Sequence, residues 1–303
     1  MRGVHDHAHA RSDSRRRIGL ALAITLSLLV VEAIGAFLTG SLALLADAGH
    51  LATDGIGLAV ALAAVTLAGR PASARRTFGL GRLEVLAAAA NALLLLGVGG
   101  TVLVRAVGRL SQPVPVASGP LLTIGVIGLV GNLVALAVLA GGDRTSLNLR
   151  GALLEVLGDA LGSIAVVASA VTIGLTGWLQ ADAVASLMIA ALILPRSVLL
   201  LRDAAHVLLE GTPPDLDADQ VRAALLGIRG VVAVHDLHVW SITAGETAVS
   251  AHLVVDGVAC LGCGEASVLD QAAAVLADRF GLAHSTVQIE HAAHDDHEQA
   301  QHS

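Results

Sequence analysis

Tyrosine and lysine are absent from this chain, and other aromatics are so scarce that the whole class makes up 2% of 303 residues. The first absence removes most of the interfacial aromatic belt that membrane proteins usually carry. Charged residues are also few, at 14% against about 25% for an ordinary soluble domain, which excludes a wholly soluble chain. Every basic residue is Arg, and no functional conclusion follows from that. The formal net charge of −7 gives no support for nucleic-acid binding. Two cysteines, Cys260 and Cys263, form one CxxC and no disulfide framework. No cleavable signal peptide is expected, because the apolar run after Arg17 is long and lacks a small-residue cleavage pattern.

What is present is apolar mass, at 55% hydrophobic residues and a mean hydropathy of +0.76. Ala, Leu, Val and Gly supply it, and these suit helices that approach closely through small residues. A polar segment 1–17 carries His5, Asp6, His7 and His9, then Arg11, Arg15, Arg16 and Arg17. Apolar stretches follow at 18–39, 42–68, 83–108, 119–140, 151–176 and 181–202, each about the 20 residues needed to span a bilayer. Arg residues concentrate in the N-terminal tail, in 69–82 (Arg70, Arg75, Arg76, Arg82) and in 141–150 (Arg144, Arg150). The 40–41 and 177–180 connections carry none, so the positive-inside rule predicts a multi-pass protein of the cell membrane with both termini in the cytoplasm. Arg105 and Arg109 are a modest exception.

After Glu210 the texture changes. Thr212-Pro213-Pro214 is a stop, and Asp215 to Asp219 supplies helix-start chemistry. A helix is expected over 217–227, strands over 231–241 and 247–256 flanking a hairpin signal at Ala244-Gly245, an amphipathic helix over 266–280 and a last strand over 285–290. The expected fold is therefore an all-α membrane domain of six transmembrane helices (18–210) plus a small cytoplasmic αββαβ domain (211–290), ending in a polar His-rich tail, 291–303. A domain of about 80 residues is near the lower limit for folding alone, and a second copy or a metal would help it.

Four ionisable residues stand out because a lipid-spanning helix should carry none. His50 and Asp54 lie in the run 42–68, and Glu155 and Asp159 in the run 151–176. Both pairs have i, i+4 spacing, which puts the two side chains on one helix face. A charge at bilayer depth costs from a few kcal/mol to well above ten, so such groups face a partner, a cavity or an ion path. A structural polar network is the bland alternative, but Ser, Thr and Asn ordinarily do that work. One imidazole and three carboxylates from two helices make a four-ligand site for a divalent metal.

Beside these residues stand recognisable motifs. Ser41-Leu42-Ala43-Leu44-Leu45-Ala46-Asp47-Ala48-Gly49-His50 with Asp54, Phe78-Gly79-Leu80-Gly81-Arg82-Leu83-Glu84, His206-Val207-Leu208-Leu209-Glu210-Gly211-Thr212-Pro213 and His235-Asp236-Leu237-His238-Val239-Trp240 resemble the cation diffusion facilitator family, in its bacterial zinc, cobalt and cadmium efflux branch. The resemblance implies a homodimeric proton-coupled antiporter with a cytoplasmic metallochaperone-like domain. It implies further that His235, His252, His284 and Glu290 are cytoplasmic metal ligands, and that Arg82 and Glu210 stand where the family places a dimer-stabilising charge interlock, with a solvated surface pair as the alternative. The zinc-preferring branch has His at the position of Glu155, so the site here is harder and more negative. Such a set favours manganese-like metals relative to softer ones. Zn2+ is the expected cargo, with Co2+ and Cd2+ close behind. The loop 69–82 has no His, Asp or Cys, so the additional loop site of some relatives is not expected.

The remaining polar residues have plainer expectations. Glu32, Asn91, Asn132 and Asp182 are expected to make interhelical hydrogen bonds. Asp47 has a vestibule, helix-start or transport reading. His238 is expected to pack beside Trp240. Cys260 and Cys263 carry a thiolate-ligand, a redox or a plain loop reading, because a lone CxxC is weak as a zinc signal. The His-rich ends have a metal-capture or a solvated reading. Protons enter because ligands must be deprotonated to hold a metal, and an imidazole with a reference pKa of about 6.5 is a natural exchanger. A membrane metallohydrolase would want an HExxH helix, which neither pair supplies. A membrane sensor or scaffold that binds without moving the ion stays open.

Overall fold

The computed structural model describes residues 3–68, 70–141, 147–243, 246–256 and 264–291. In chain order its elements are α1 (Gly3–Thr39), α2 (Leu42–Ala68), α3 (Arg82–Ser111), α4 (Ser118–Ala140), α5 (Leu147–Thr176), α6 (Gln180–Leu208), α7 (Ala218–Leu226), β1 (Val231–Thr243), β2 (Glu246–Val255), α8 (Gly264–Phe280) and β3 (His284–His291). The six long helices and the αββαβ order are those expected. Among the described residues, Gly19–Thr39 and the whole or most of α3, α4, α5 and α6 are long and apolar enough to cross a membrane. The sixth, α2, has 27 residues and carries the ionisable ones. One difference lies at the start, where α1 begins at Gly3 and runs through the polar segment, which contains no proline to stop a helix. Ala244-Gly245, the Cys260/Cys263 loop and the tail beyond His291 lie outside the described residues.

The chain divides into two compact units, Met1–Val60 with Ala90–Leu201 and Ala61–Ala89 with Arg202–Ser303, so α2, α3 and α6 each contribute to both. In the first unit α4 packs against α1 and α5. Glycines make that approach possible. A Cβ at Gly131 would sit 2.8 Å from Leu28 Cδ2 on α1, and one at Gly125 would sit 3.0 Å from Val166 Cγ1 on α5. Without a hydrophobic drive between helices in lipid, such close packing is a main source of association. Hydroxyls along the spans satisfy themselves on their own backbone, as Thr39 does on the Gly35 carbonyl (2.7 Å) and Ser197 on that of Ile193 (2.9 Å).

The start of α2 is tied to α6. Asp182, 1% exposed, accepts hydrogen bonds from the Ser41 hydroxyl (2.5 Å) and the Leu42 amide (2.7 Å). It therefore caps orphan donors at a helix N-terminus, where a carboxylate is also favoured by the helix dipole. Arg109 of α3 completes the cluster, 3.3 Å from Asp182 and 2.9 Å from the Gly40 carbonyl.

In the second unit, β1 pairs antiparallel with β2, and β2 pairs parallel with β3 through the crossover helix α8. Val221 and Leu225 of α7 and Val268, Ala272 and Leu276 of α8 close over Val249, Ala251 and Leu253 of β2, all buried. Asp217 caps α7 by accepting the Asp219 amide, which is the helix-start chemistry expected there. Gly281, at φ 69°, ends α8, with Leu282 donating back to the Leu276 carbonyl. Glu210 takes the same left-handed conformation after α6, at φ 60°. Its carboxylate lies 3.0 Å from the Arg82 guanidinium, and both side chains are exposed.

Candidate metal centre

The i, i+4 spacing on α2 brings His50 and Asp54 onto one face, with Nδ1 and Oδ2 3.5 Å apart. Asp159 of α5 faces the other side of the same ring, with Oδ1 3.8 Å from His50 Nε2. Glu155, one turn earlier on α5, lies within hydrogen-bond reach of the Asp54 carboxyl. The four predicted residues thus approach one another pairwise; among the described residues no three of them offer ligand atoms all within 4.8 Å of one another. Asp54, Glu155 and Asp159 also line a cavity of about 200 Å³ whose remaining wall is apolar apart from Thr25, with Ala21, Leu22 and Leu26 of α1 among the lining residues.

Distances of 3.5 and 3.8 Å are beyond ordinary hydrogen bonds. Two ligands each about 2.1 Å from one tetrahedral ion lie about 3.4 Å apart by trigonometry. Either ring nitrogen is therefore spaced to share an ion with the carboxylate on its own side, but a single ion takes only one of the two. His50 Nδ1 and Asp159 Oδ1 are buried without a hydrogen-bond partner, which is costly unless something else satisfies them. The side chain of Asp159 is 2% exposed and that of His50 15%.

A fifth group escaped the sequence reading. Arg196 of α6 acts electrostatically on His50, Asp54, Glu155 and Asp159. The signal was available, since Arg196 is an arginine within the expected apolar run 181–202, just after Pro195. Among the expected hydrogen-bonding residues, Asp182 bonds between helices, and Asn132 donates to Ser163 Oγ (3.1 Å). Glu32 departs from expectation: it is 2% exposed, and its Oε2 has no partner.

A second group forms on the three-stranded sheet. His235 of β1 and His252 of β2 are register partners, with ring centroids 5.1 Å apart and edge-to-face. Glu290 of β3 lies 3.0 Å from His235 Nε2 and 2.8 Å from His252 Nδ1. Its other neighbour is Gln288, whose amide donates to Oε1 at 2.7 Å. A carboxylate shared by two imidazoles is an arrangement that fixes ring orientation for metal binding. The register shift between His235 and His238 turns Asp236 to φ 45°, and His235, Asp236 and His252 offer ligand atoms all within 4.8 Å of one another. Asp236 was not expected, because only that bulge carries it to the group. His284 does not join: it pairs at 2.8 Å with Glu246, both exposed. His238 and Trp240 line one cavity together with Arg82 and Glu210.

The model of the cation efflux transmembrane domain matches residues 18–209, and that of the cation efflux protein cytoplasmic domain matches 213–292. The chain belongs to the cation diffusion facilitator family. It is 42% identical over 274 residues to the metal cation efflux system protein CzcD of Cupriavidus metallidurans, covering 90% of this chain and 86% of that one. It is 42% identical to a cadmium, cobalt and zinc/H(+)-K(+) antiporter of Bacillus subtilis (88% and 86% covered) and 39% identical to the zinc transporter ZitB of Escherichia coli (88% and 84%). A solved structure, the metal-bound C-terminal domain of the CzcD transporter, matches 25% of this chain and 99% of its own at 35% identity, with a TM-score of 0.23. As a member of this family the chain is a multi-pass membrane transporter for efflux of divalent metal cations, and it is not an enzyme.

Proposed function

We propose that this cation diffusion facilitator exports Zn2+ in exchange for protons, holding the ion between α2 and α5 on His50, Asp54, Glu155 and Asp159. The supporting observation is the pairwise approach of His50 to Asp54 and Asp159 and of Asp54 to Glu155, four metal-ligating side chains facing each other across two apolar helices. All four ligands bind metal only when deprotonated, so protons arriving at the cage compete directly with the cargo. The metal enters from the cytoplasm and leaves when protons from the other side replace it.

The Arg-rich connections support a topology with both termini in the cytoplasm of the cell that carries the protein in its membrane. The working form is a homodimer, in keeping with the family of the C-terminal domain. His235, His252 and Glu290, with Asp236, form a cytoplasmic metal site on the sheet. Glu155 favours a second reading of the cargo: an oxygen donor replaces nitrogen, which shifts preference toward manganese-like metals relative to a two-His cage, with Co2+ and Cd2+ as further alternatives.

The test is flux in proteoliposomes holding the full chain. Zn2+ uptake driven by an imposed pH gradient is expected, falling to the protein-free rate when an ionophore collapses the gradient. Asp54→Ala is expected to abolish the flux at normal expression. Flux indifferent to the gradient would overturn the exchange mechanism, and full activity of Asp54→Ala would remove the cage from it.

A further inference from the structure

The connection between α2 and α3 holds positive charge that the transport reading does not use. From Gly55 to Leu83 the sequence contains Arg70, Arg75, Arg76 and Arg82 and no acidic residue. Arg82 is matched by Glu210 at 3.0 Å. Arg70, Arg75 and Arg76 have no ion pair among the described residues, and every residue from Arg70 to Phe78 is exposed.

The backbone holds this segment in a defined shape. The Arg70 amide donates to the Leu67 carbonyl at the end of α2 (3.1 Å). Ser73 and Arg76 exchange both backbone hydrogen bonds, at 3.1 and 2.9 Å, and so close a tight turn over Ala74 and Arg75. Gly79, at φ 71°, then donates to the Arg76 carbonyl (2.9 Å). Beyond the turn the chain is engaged with β1: Phe78 lines a cavity with Trp240, and a Cβ at Gly81 would meet Thr243 Cγ2. The stretch that carries the three unmatched arginines stays open.

Chain continuity fixes where these charges stand. Arg70 follows the last residue of α2 by two positions, and Arg76 precedes the first residue of α3 by six. With α2 and α3 crossing the bilayer, the turn lies at its surface, and by the Arg placement that surface is the cytoplasmic one. Anionic lipids of that leaflet attract basic juxtamembrane segments within a Debye length, about 8 Å at physiological salt. Arginine adds geometry to charge, because its planar fork of N–H donors meets a phosphate bidentately. We propose that Arg70, Arg75 and Arg76 form a phosphate-binding turn that takes the headgroup of an anionic phospholipid from the cytoplasmic leaflet. The inference rests on the topology adopted for the proposed function and is independent of the metal cage.

Full-length protein in neutral detergent, titrated with phosphatidylglycerol or phosphatidylcholine and read by native mass spectrometry for bound lipid, tests this. The wild type is expected to prefer phosphatidylglycerol. Arg70→Gln, Arg75→Gln and Arg76→Gln are each expected to weaken its binding about fivefold, and the triple variant to lose most of the preference. The corresponding triple Arg→Lys variant keeps the charge without the fork and is expected to fall between. Arg229→Gln/Arg279→Gln removes two exposed charges from the cytoplasmic domain and is expected to change nothing. Inorganic phosphate is expected to displace no more lipid than chloride does at equal ionic strength. An undiminished preference in the triple Gln variant would overturn the proposal. Equal loss in the Arg229/Arg279 control, or displacement peculiar to inorganic phosphate, would do the same. The topology has its own readout: trypsin is expected to cut after Arg75 or Arg76 in inside-out membrane vesicles and not in right-side-out ones. Cutting from the opposite side would sink the topology, and with it the leaflet, whatever the lipid preference in detergent.

Discussion

At the scale of single residues, Glu155 decides most. It occupies the position at which the zinc-preferring branch is expected to have His, and it lies against Asp54. The proposed cage therefore holds three carboxylates and one imidazole, and Arg196 acts electrostatically against their negative charge. Replacing a nitrogen donor by oxygen makes the set harder. Glu155→His is expected to raise preference for Zn2+ over Mn2+ by on the order of tenfold, the equivalent of about 1.4 kcal/mol. Competition assays in the same proteoliposomes check it, and an unchanged ratio would remove Glu155 from selectivity. The four residues of the proposed cage stand out in the sequence because each violates the same rule, that a bilayer-spanning helix avoids charge. Arg196 violates it too, but it stands alone, without the i, i+4 partner that drew attention to the others.

At the scale of elements, the long apolar runs were readable to within a few residues where loops are short. Ends that extend into polar sequence were read less well, as with α1 at Gly3 and α6 at Leu208. Propensity carries a helix past the point where hydropathy stops reporting it. The clasp on α2 was not readable, because its parts lie 140 residues apart along the chain. Asp182→Ala removes two capping bonds and strands Arg109, so it is expected to cost about 2–3 kcal/mol. The check is thermal unfolding of the detergent-solubilised protein. Asp182→Asn, which keeps the hydrogen-bonding shape without the charge, is expected to recover part of the loss.

At the scale of the whole molecule, the αββαβ order was plain from alternation and turn signals. The pairing of β2 with β3 in parallel was not, nor was the bulge that swings Asp236 toward His235. His284 illustrates the limit: its place on a strand is right, but register sets it opposite Ala248, whereas Gln288 stands opposite His252. A metal held by the folded sheet stabilises the full chain by mass action, about 2.7 kcal/mol at 100 times the dissociation constant. Zn2+ is therefore expected to raise the melting temperature, a chelator to reverse the rise, and His235→Ala/His252→Ala to reduce it. An equal rise in the double variant would assign the effect to other ligands.

The fastening of Leu42 by Asp182 sets the leverage of α2. A helix pinned at one end sweeps an arc that widens with distance from the pin. At 1.5 Å per residue, His50 sits about 12 Å and Asp54 about 18 Å along it. A swing of about 10° would then carry His50 by roughly 2 Å and Asp54 by roughly 3 Å, against metal–ligand bonds of about 2 Å. In the proposed cage, Asp54, the ligand on α2 farthest from the hinge, would then part from the ion before His50.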